Sequence, residues 1–264
     1  MHGMVNIAVR AARRAGELMV RQLDQLESLK VIEKSRNEFV SQVDRAAEEA
    51  IIEVIRDHHP DHAILAEESG ATGDHEYQWI IDPLDGTTNY LHGFPVFSVS
   101  IGVARRGEVE HGVVYDPLRQ EIFTASRGQG AQLDGRRIRV SKRTTLQQSL
   151  VATGFPYRAN LEHIDRYLKM LRAVMLESSG VRRPGSAALD LCYVAAGRVD
   201  AFFELGLSKW DIAAGSLIIR EAGGRISDFH GRDSYLDSGN VVAGNPKAYA
   251  ALSKLLAPFS TGIS

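Results

Sequence analysis

The chain has 264 residues, of which 44% are hydrophobic and 24% charged, and its formal net charge is −2. This composition is that of a soluble globular protein with a sizeable core, and the near balance of 31 basic and 33 acidic residues excludes bulk-charge binding to nucleic acid or to a membrane surface. A single cysteine, Cys192, excludes an internal disulfide framework and favours a reducing cytoplasm. The first 17 residues contain no continuous apolar run, so we expect neither an export signal nor a membrane span.

The first elements are predicted to be two helices followed by two short strands. Apolar residues recur at helical spacing over residues 3–27, which indicates an amphipathic helix. A second helix is predicted from Asp44 to about His58, with Asp44 either capping it or lying just inside its first turn. Strands are expected over residues 63–66 and 78–81, each followed directly by acidic residues.

The middle of the chain is predicted to be a run of antiparallel strands. From residue 97 to residue 139, apolar and polar residues alternate, and turn-forming dipeptides interrupt them. Helical periodicity returns near 160–176 and over 186–196. The remaining predicted elements are a strand over 200–204, a helix over 211–222, strands near 225–228 and 240–243, and a helix over about 246–256.

The alternation of helices and hairpin-connected strands favours an α+β fold with antiparallel or mixed sheets rather than a parallel βαβ wheel. The sequence contains no repeat, no low-complexity tract and no linker rich in proline, glycine or serine. We therefore expect a single domain over residues 1–264, with residues 1–150 and 151–264 as two sub-domains that share one cleft.

One short segment, Asp82-Pro83-Leu84-Asp85-Gly86-Thr87, points to chemistry. Its two carboxylates lie three residues apart, directly after an apolar strand. They are followed by small residues whose backbone amides could face an anion at a helix start. Carboxylates beside free amides suit an anionic ligand only when cations lie between them. The segment therefore predicts a divalent metal together with phosphate.

Two further acidic segments could contribute to such a site: Glu67-Glu68-Ser69 and Trp210-Asp211. Mg²⁺ prefers carboxylate, carbonyl and water oxygens, and a pair of metal ions can activate a water and stabilise the leaving oxygen of a phosphoester. Acidic residues are also common at helix caps, and Asp211 could simply cap its helix. Spacing in the sequence does not show that these residues converge.

The segment from Trp79 to Tyr90 resembles the first signature of the inositol monophosphatase family, and residues 210–215 with 221–224 resemble its second. Glu67-Glu68-Ser69 matches the acidic loop of that family. The resemblance implies a five-layer αβαβα sandwich of the inositol monophosphatase and fructose-1,6-bisphosphatase type. Residues 153–156 and 185–190 look most like the bacterial branch, which includes the extragenic suppressor proteins.

The resemblance implies that two to three Mg²⁺ ions bind at the acidic segments. Glu67, Asp82 and the carbonyl of Leu84 would hold the first ion, and Asp82, Asp85 and Asp211 would hold the second. Glu67 would also hold a weaker third ion through waters. Inhibition by lithium, which occupies a Mg²⁺ position, is implied as well.

The resemblance also implies residues that act on the attacking water and on the substrate. Thr87 and Asp44 would polarise the water, with Glu67 as the third catalytic residue. Phosphate would bind the amides of Gly86 and Thr87, and the polyol hydroxyls would contact Glu204 and the backbone of residues 185–187. The full set expected to contact substrate is Asp85, Gly86, Thr87, Thr88, Arg182, Gly185, Ser186, Ala187, Glu204 and Asp211.

Two functions follow from these expectations. The first is an inositol-phosphate phosphatase that acts on inositol 1-phosphate and similar polyol or sugar phosphates. Activity on fructose 1,6-bisphosphate or on nucleotide 3′-phosphates is the alternative within that class, and the compact length and Glu204 favour the monophosphatase. The second, which the resemblance to the suppressor branch implies, is a component of a ribosomal-RNA transcription antitermination complex that binds an elongation factor and RNA polymerase independently of catalysis. A cytoplasmic homodimer is expected, with no membrane partner.

A basic run over residues 136–143 has two interpretations. It is either the solvated face of an edge strand or a contact surface for RNA or an acidic protein.

Overall fold

The computed structural model describes residues 3–23, 31–35, 38–156 and 162–260, with the backbone alone described over 31–35 and 38–41. The helices are α1 Gly3–Gln22, α2 Gln42–Arg56, α3 Thr87–Leu91, α4 Ile164–Glu177, α5 Ala187–Ala195, α6 Lys209–Glu221, α7 Tyr235–Ser238 and α8 Pro246–Leu256. The helix predicted over 3–27 is confirmed as far as Gln22, and residues 24–30 lie outside the described part. Asp44 lies inside the first turn of α2, which is one of the two positions expected for it.

The larger sheet has eight strands in the order β10-β9-β8-β7-β6-β5-β3-β4. Neighbouring strands are antiparallel except for β3 and β5, which are parallel. Strands β6 to β10 confirm the antiparallel run predicted over residues 97–139. The strands are β3 Ala63–Ala66, β4 Gly70–Thr72, β5 Tyr77–Asp85, β6 Ser98–Arg105, β7 Glu108–Asp116, β8 Glu121–Ser126, β9 Gly130–Leu133 and β10 Arg136–Arg137.

The smaller sheet has five strands in the order β12-β11-β13-β15-β14, and a separate hairpin pairs β1 with β2. Strand β11 is parallel to both of its neighbours, whereas β15 is antiparallel to both of its own. The eight-stranded sheet and the five-stranded sheet are therefore both mixed, as expected. The strands are β1 Val31–Ser35, β2 Glu38–Ser41, β11 Leu150–Thr153, β12 Gly180–Arg182, β13 Ala201–Glu204, β14 Arg225–Ser227 and β15 Val241–Gly244.

Five layers follow from the way successive strand residues face opposite sides of each sheet. In β5, Ile81 packs with α1 and α2 on one face, whereas Ile80 packs with α5 and α6 on the other. In β13, Phe202 faces α5 and α6, whereas Phe203 packs with α4 and α8. The order is therefore α1/α2, large sheet, α5/α6, small sheet, α4/α8, which confirms the predicted αβαβα sandwich. Burial of each sheet on both faces explains the nearly continuous apolar runs in its central strands.

Helix α6 lies directly on the large sheet because two glycines leave room for it. A Cβ atom added at Gly112 would lie 2.7 Å from the carbonyl oxygen of Ala214, and one added at Gly102 would lie 3.0 Å from the Cβ of Ala213. This close approach holds the first turn of α6, which carries Asp211, against the large sheet.

The basic run over residues 136–143 contributes at least partly to packing. Arg136 and Arg137 form the edge strand of the large sheet, as the first interpretation expects. Arg143 lies 3.1 Å from the buried carboxylate of Asp200, and Arg139 donates to the carbonyl of Glu221. Among the helices that the structure describes, none is both long and apolar enough to cross a membrane.

A stack of aromatic side chains surrounds His62 and predicts that stability falls in acid. Its ring stacks on His59 at 4.3 Å and on His75 at 4.6 Å, and its Nδ1 accepts a hydrogen bond from Trp79 Nε1 at 3.1 Å. Burial, together with the charges of His59 and His75, lowers the pKa of His62 to about 4.

Because the unfolded chain protonates His62 near pH 6.5 and the folded chain does not, folding should lose stability as the pH falls from 6.5 to about 4. Urea unfolding at pH 7 and at pH 4.5 measures this loss. His62→Gln retains an acceptor for Trp79 and should lose clearly less stability over the same interval. An equal loss in both proteins would contradict the assignment to His62.

Candidate active site

Three carboxylates from two elements converge at the end of β5. Asp82 and Asp85 lie in the last residues of that strand, and Asp211 lies in the first turn of α6. Each offers one oxygen atom within 4.8 Å of the other two. All three side chains are nearly inaccessible to solvent, with Asp82 exposed by only 1%. The structure therefore places Asp211 next to the two carboxylates of the hexapeptide.

The electrostatics of this cluster fit a divalent cation. Burial, then the charges of Glu67, Asp85 and Asp211, raise the pKa of Asp82 well above its ordinary value. Burial and the charge of Asp211 raise the pKa of Asp85 to about 7. Buried carboxylates this close repel one another when ionised, and a cation between them removes that repulsion. The donors are hard oxygens, which Mg²⁺ prefers.

Asp85 is fixed by contacts with α5 in addition to its place in the cluster. Its Oδ2 accepts hydrogen bonds from Ser186 Oγ at 2.5 Å and from the backbone N–H of Ala188 at 2.8 Å. Because Ser186 caps α5 and Ala188 is in its first turn, the carboxylate lies at the positive end of that helix. These contacts lower the pKa of Asp85, although burial and Asp211 outweigh them.

Glu67 lies beside the cluster on the loop that follows β3. Its backbone N–H donates to the carbonyl of Ile81 at 3.2 Å, and its charge is one of those that raise the pKa of Asp82. The next two residues are held by Glu48 of α2, whose carboxylate accepts from the N–H groups of Glu68 and Ser69, both at 2.8 Å. Glu48 is 3% exposed and was not identified from the sequence.

Replacement of Glu48 should weaken metal binding through this loop. Glu48→Gln keeps one acceptor and presents an amide N–H₂ to the other backbone donor, so the loop that carries Glu67 should shift. We expect the affinity for Mg²⁺ to fall by about tenfold, measured by calorimetric titration. Glu49→Gln, an exposed position on the same helix, serves as the control and should leave the affinity unchanged. An unaltered affinity in a folded Glu48→Gln protein would contradict the inference.

Thr87 and Asp44 form the pair that the family resemblance implies. The Oγ1 atom of Thr87 lies 3.0 Å from Oδ1 of Asp44 and 3.1 Å from the carbonyl oxygen of Leu84. Asp44 is 1% exposed and comes from α2, 43 positions earlier in the chain. A hydroxyl that donates its proton to one of these acceptors keeps its lone pairs free to accept a hydrogen bond from a third group.

The turn between β5 and α3 requires glycine. Gly86 has φ = 99°, in the left-handed region. A Cβ atom there would also lie 3.0 Å from the carbonyl oxygen of Val96 and 3.2 Å from that of Gly185. Asn89 of α3 fixes the same loops because its Nδ2 donates to the carbonyls of Val96 at 2.7 Å and Pro184 at 2.9 Å.

A cavity of about 530 Å³ opens beside the carboxylates. It is lined by the substrate-contact residues expected from the sequence, with the exception of Arg182. These residues are Asp85, Gly86, Thr87, Thr88, Gly185, Ser186, Ala187, Glu204 and Asp211. The side chain of Glu204 packs directly against Gly154, and a Cβ atom added at Gly154 would lie 1.8 Å from Oε1 of Glu204.

Arg182 is exposed, is absent from the cavity wall and donates to the carbonyl of its neighbour Val181. Arg183 lines the cavity instead, and its guanidinium lies 5.1 Å from the ring centre of Phe155. Strand β12 ends at Arg182, and successive residues point in opposite directions there. The sequence could not separate the two arginines because the register of this short edge strand was not predicted.

Other wall residues were also missed from the sequence. Asp190 of α5 lies in the cavity wall, and the helical pattern over 186–196 gave no sign that this acidic residue faces a site. The further members that sequence reasoning did not identify are Asn89, Thr153, Gly154, Phe155, Leu205, Gly206 and Leu207.

Comparison with known proteins places this geometry in a family. The model of the inositol monophosphatase family matches residues 1–260. The Nus factor SuhB of Pseudomonas aeruginosa is 52% identical over 98% of this chain and 97% of its own length. The crystal structure of the extragenic suppressor protein suhB from Bartonella henselae is 44% identical, with a TM-score of 0.94 over 97% of this chain and 98% of that one. Inositol monophosphatase from Anabaena is 39% identical, with a TM-score of 0.83 over 97% and 95%.

Proposed function

The chain belongs to the inositol monophosphatase family, and we propose that it is a Mg²⁺-dependent phosphatase that hydrolyses inositol 1-phosphate and similar polyol or sugar phosphates. The observation that carries this proposal is the juxtaposition of Asp82, Asp85 and Asp211 with the Thr87–Asp44 pair. A cluster of carboxylates that could hold metal ions would by itself suit many functions. The same cluster beside a hydroxyl that can orient a water suits hydrolysis.

The metal ligands would be Glu67, Asp82, the carbonyl of Leu84, Asp85 and Asp211. Bound Mg²⁺ would supply charge neutralisation at the phosphate and a lowered pKa for the attacking water. Hydrolysis of phosphate monoesters is extremely slow without a catalyst, so charge stabilisation at the phosphate is the main requirement.

This chain's own residues would position the water and the substrate. The Thr87 hydroxyl donates a hydrogen bond to Asp44, so its oxygen can accept a hydrogen bond from the attacking water and fix the direction of that water. The backbone amides of Gly86 and Thr87 would bind phosphate oxygens. The alcohol part of the substrate would extend into the cavity, towards Glu204 and the backbone of residues 185–187.

Phosphate release from inositol 1-phosphate with Mg²⁺ tests this proposal, with an EDTA-treated sample as control. Fructose 1,6-bisphosphate and a nucleoside 3′-phosphate test the two alternatives within the class. We expect release from inositol 1-phosphate to be fastest and to stop when the metal is removed. Absence of release from any of the three by folded, Mg²⁺-loaded protein would overturn the proposal.

We also propose a transcription role, in which the protein binds a transcription elongation factor and RNA polymerase within an antitermination complex. The 52% identity to a Nus factor over nearly the whole chain supports it. Pull-down with wild type and with Asp85→Asn tests whether the role is independent of catalysis. Capture of both partners by the variant would show independence, and failure of wild type to capture either would refute the role.

Four further features complete the proposal. We propose that the protein acts in the cytoplasm, that residues 1–264 form one domain with two sub-domains, and that the protein is a homodimer inhibited by lithium. Light scattering at several concentrations tests the dimer, and phosphate release in the presence of lithium tests the inhibition.

A further inference from the structure

Asp190 is a buried acidic residue in the wall of the cavity for which neither the sequence motifs nor the family resemblance gives a role. It lies in the first turn of α5 and is 1% exposed. Its Oδ1 atom has no hydrogen-bond partner among the residues that the structure describes. An unpaired buried carboxylate oxygen is costly, and in a binding cavity a ligand is the natural partner for it.

The charges near Asp190 have both signs. Burial, then the charges of Glu204 and Asp85, raise the pKa of Asp190 well above its ordinary value, and the charge of Arg183 opposes this. Glu204 and Arg183 line the same cavity. This part of the wall therefore combines two carboxyl groups, which accept hydrogen bonds, with a guanidinium, which only donates them.

This combination of charges determines which kind of ligand group can bind here. An amine on the ligand would satisfy the carboxyl groups but would be repelled by Arg183. A second phosphate would satisfy Arg183 but would be repelled by the carboxylate of Glu204. A hydroxyl group is neutral and both donates and accepts, so it can bond to a carboxyl group and to the guanidinium at once.

We propose that Asp190 is a substrate-binding residue that, together with Glu204, accepts hydrogen bonds from hydroxyl groups on the alcohol part of a phosphate monoester. This inference rests on the proposed phosphatase function. It adds a residue that recognises the alcohol part of the substrate, whereas Asp85, Thr87 and Asp211 act at the phosphate. Asp190 should therefore affect the choice between substrates and leave the chemistry at phosphorus unchanged.

Asp190→Asn tests this with two substrates that share the phosphate and differ in the alcohol. Inositol 1-phosphate carries hydroxyl groups, and 4-nitrophenyl phosphate carries none. We expect kcat/KM for inositol 1-phosphate to fall by about tenfold or more, mainly through KM, and kcat/KM for 4-nitrophenyl phosphate to stay within about twofold. Glu204→Gln should show the same separation between the substrates.

Cys192→Ala is the matched control. Cys192 is buried on the same helix two positions later and packs in the core between the sheets. Its replacement should lower the melting temperature and leave the ratio of the two kcat/KM values unchanged. Should Asp190→Asn lower both kcat/KM values equally, as a purely structural effect would, the inference is overturned.

Failure of the proposed function gives a different result. If wild type releases phosphate from neither ester, the phosphatase proposal fails, and calorimetric titration with myo-inositol then tests the subsite directly. Binding by wild type that weakens about tenfold or more in Asp190→Asn would support the subsite. Equal binding by both proteins, or no binding by wild type, would overturn it.

Discussion

Asp85→Asn is expected to lower phosphate release by on the order of 10³-fold or more, because it removes a negatively charged oxygen from the proposed metal site. The same substitution should make the metal-free protein more stable above pH 7. Loss of activity with gain of stability separates a functional carboxylate from a structural one, since removal of a structural group lowers both.

The sign of the stability change follows from the pKa of Asp85, which is about 7 in the folded chain against an ordinary value of 3.8. The folded protein holds this proton at a higher pH than the unfolded chain. The metal-free protein therefore gains stability as the pH falls from above 7 towards 4, and at pH 8 the ionised carboxylate is destabilising. We expect Asp85→Asn to raise the melting temperature of the metal-free protein at pH 8 by about 5 °C and to abolish most of the further rise that Mg²⁺ causes in wild type.

Asp228 provides a control of opposite sign. It is buried, but hydrogen bonds from the backbone N–H of Arg232 and from the Ser234 hydroxyl outweigh burial and lower its pKa. Asp228→Asn should therefore destabilise the protein at pH 8 and leave the response to Mg²⁺ intact. A lower melting temperature for metal-free Asp85→Asn at pH 8 would contradict the view that the cluster is electrostatically strained.

Thr87→Val is expected to lower kcat by about 10²- to 10³-fold with little change in KM or in Mg²⁺ affinity. Valine has nearly the shape of threonine but cannot accept a hydrogen bond, so the substitution removes the hydroxyl that is proposed to direct the water and keeps the packing. Steady-state kinetics with inositol 1-phosphate, together with calorimetric titration of Mg²⁺, measures the two effects separately.

Thr87→Ser is the matched control because it keeps a hydroxyl beside Asp44, and it should retain most of the activity. Asp44→Asn should resemble Thr87→Val, since both break the 3.0 Å contact that orders the hydroxyl. Near wild-type kcat in Thr87→Val would show that another group directs the water.

The sequence predicted those parts of the site that are adjacent along the chain. The two carboxylates, the turn and the start of α3 lie within Asp82 to Thr87, so strand-end geometry alone brings them together. Asp211 and Asp44 were assigned by the family resemblance, and their convergence depends on how α6 and α2 pack on the large sheet. That packing rests on features such as Gly102 and Gly112, whose role is visible only in three dimensions.

The residues that were missed have no local signature. Glu48 acts on a loop 20 positions away, and in the sequence it is one of several acidic residues on an amphipathic helix. Asp190 lies in an otherwise apolar helix pattern, where period alone does not show which face lines a cavity. The sequence predicted that Arg182 contacts substrate, whereas Arg183 lines the cavity. The two could not be distinguished because the register of the three-residue strand β12 depends on its pairing with β11.

Calorimetric titration of Mg²⁺ into the metal-free protein at pH 7, in the presence of inorganic phosphate, tests the central claim most directly. We predict saturable binding of at least two ions per chain, with release of protons, because the raised pKa values of Asp82 and Asp85 leave them partly protonated before the metal binds. Binding should be strongly weakened in Asp85→Asn. A folded wild-type protein that shows no saturable binding, or binds Mg²⁺ equally well after Asp85→Asn, would contradict the assignment of this cluster as the metal centre.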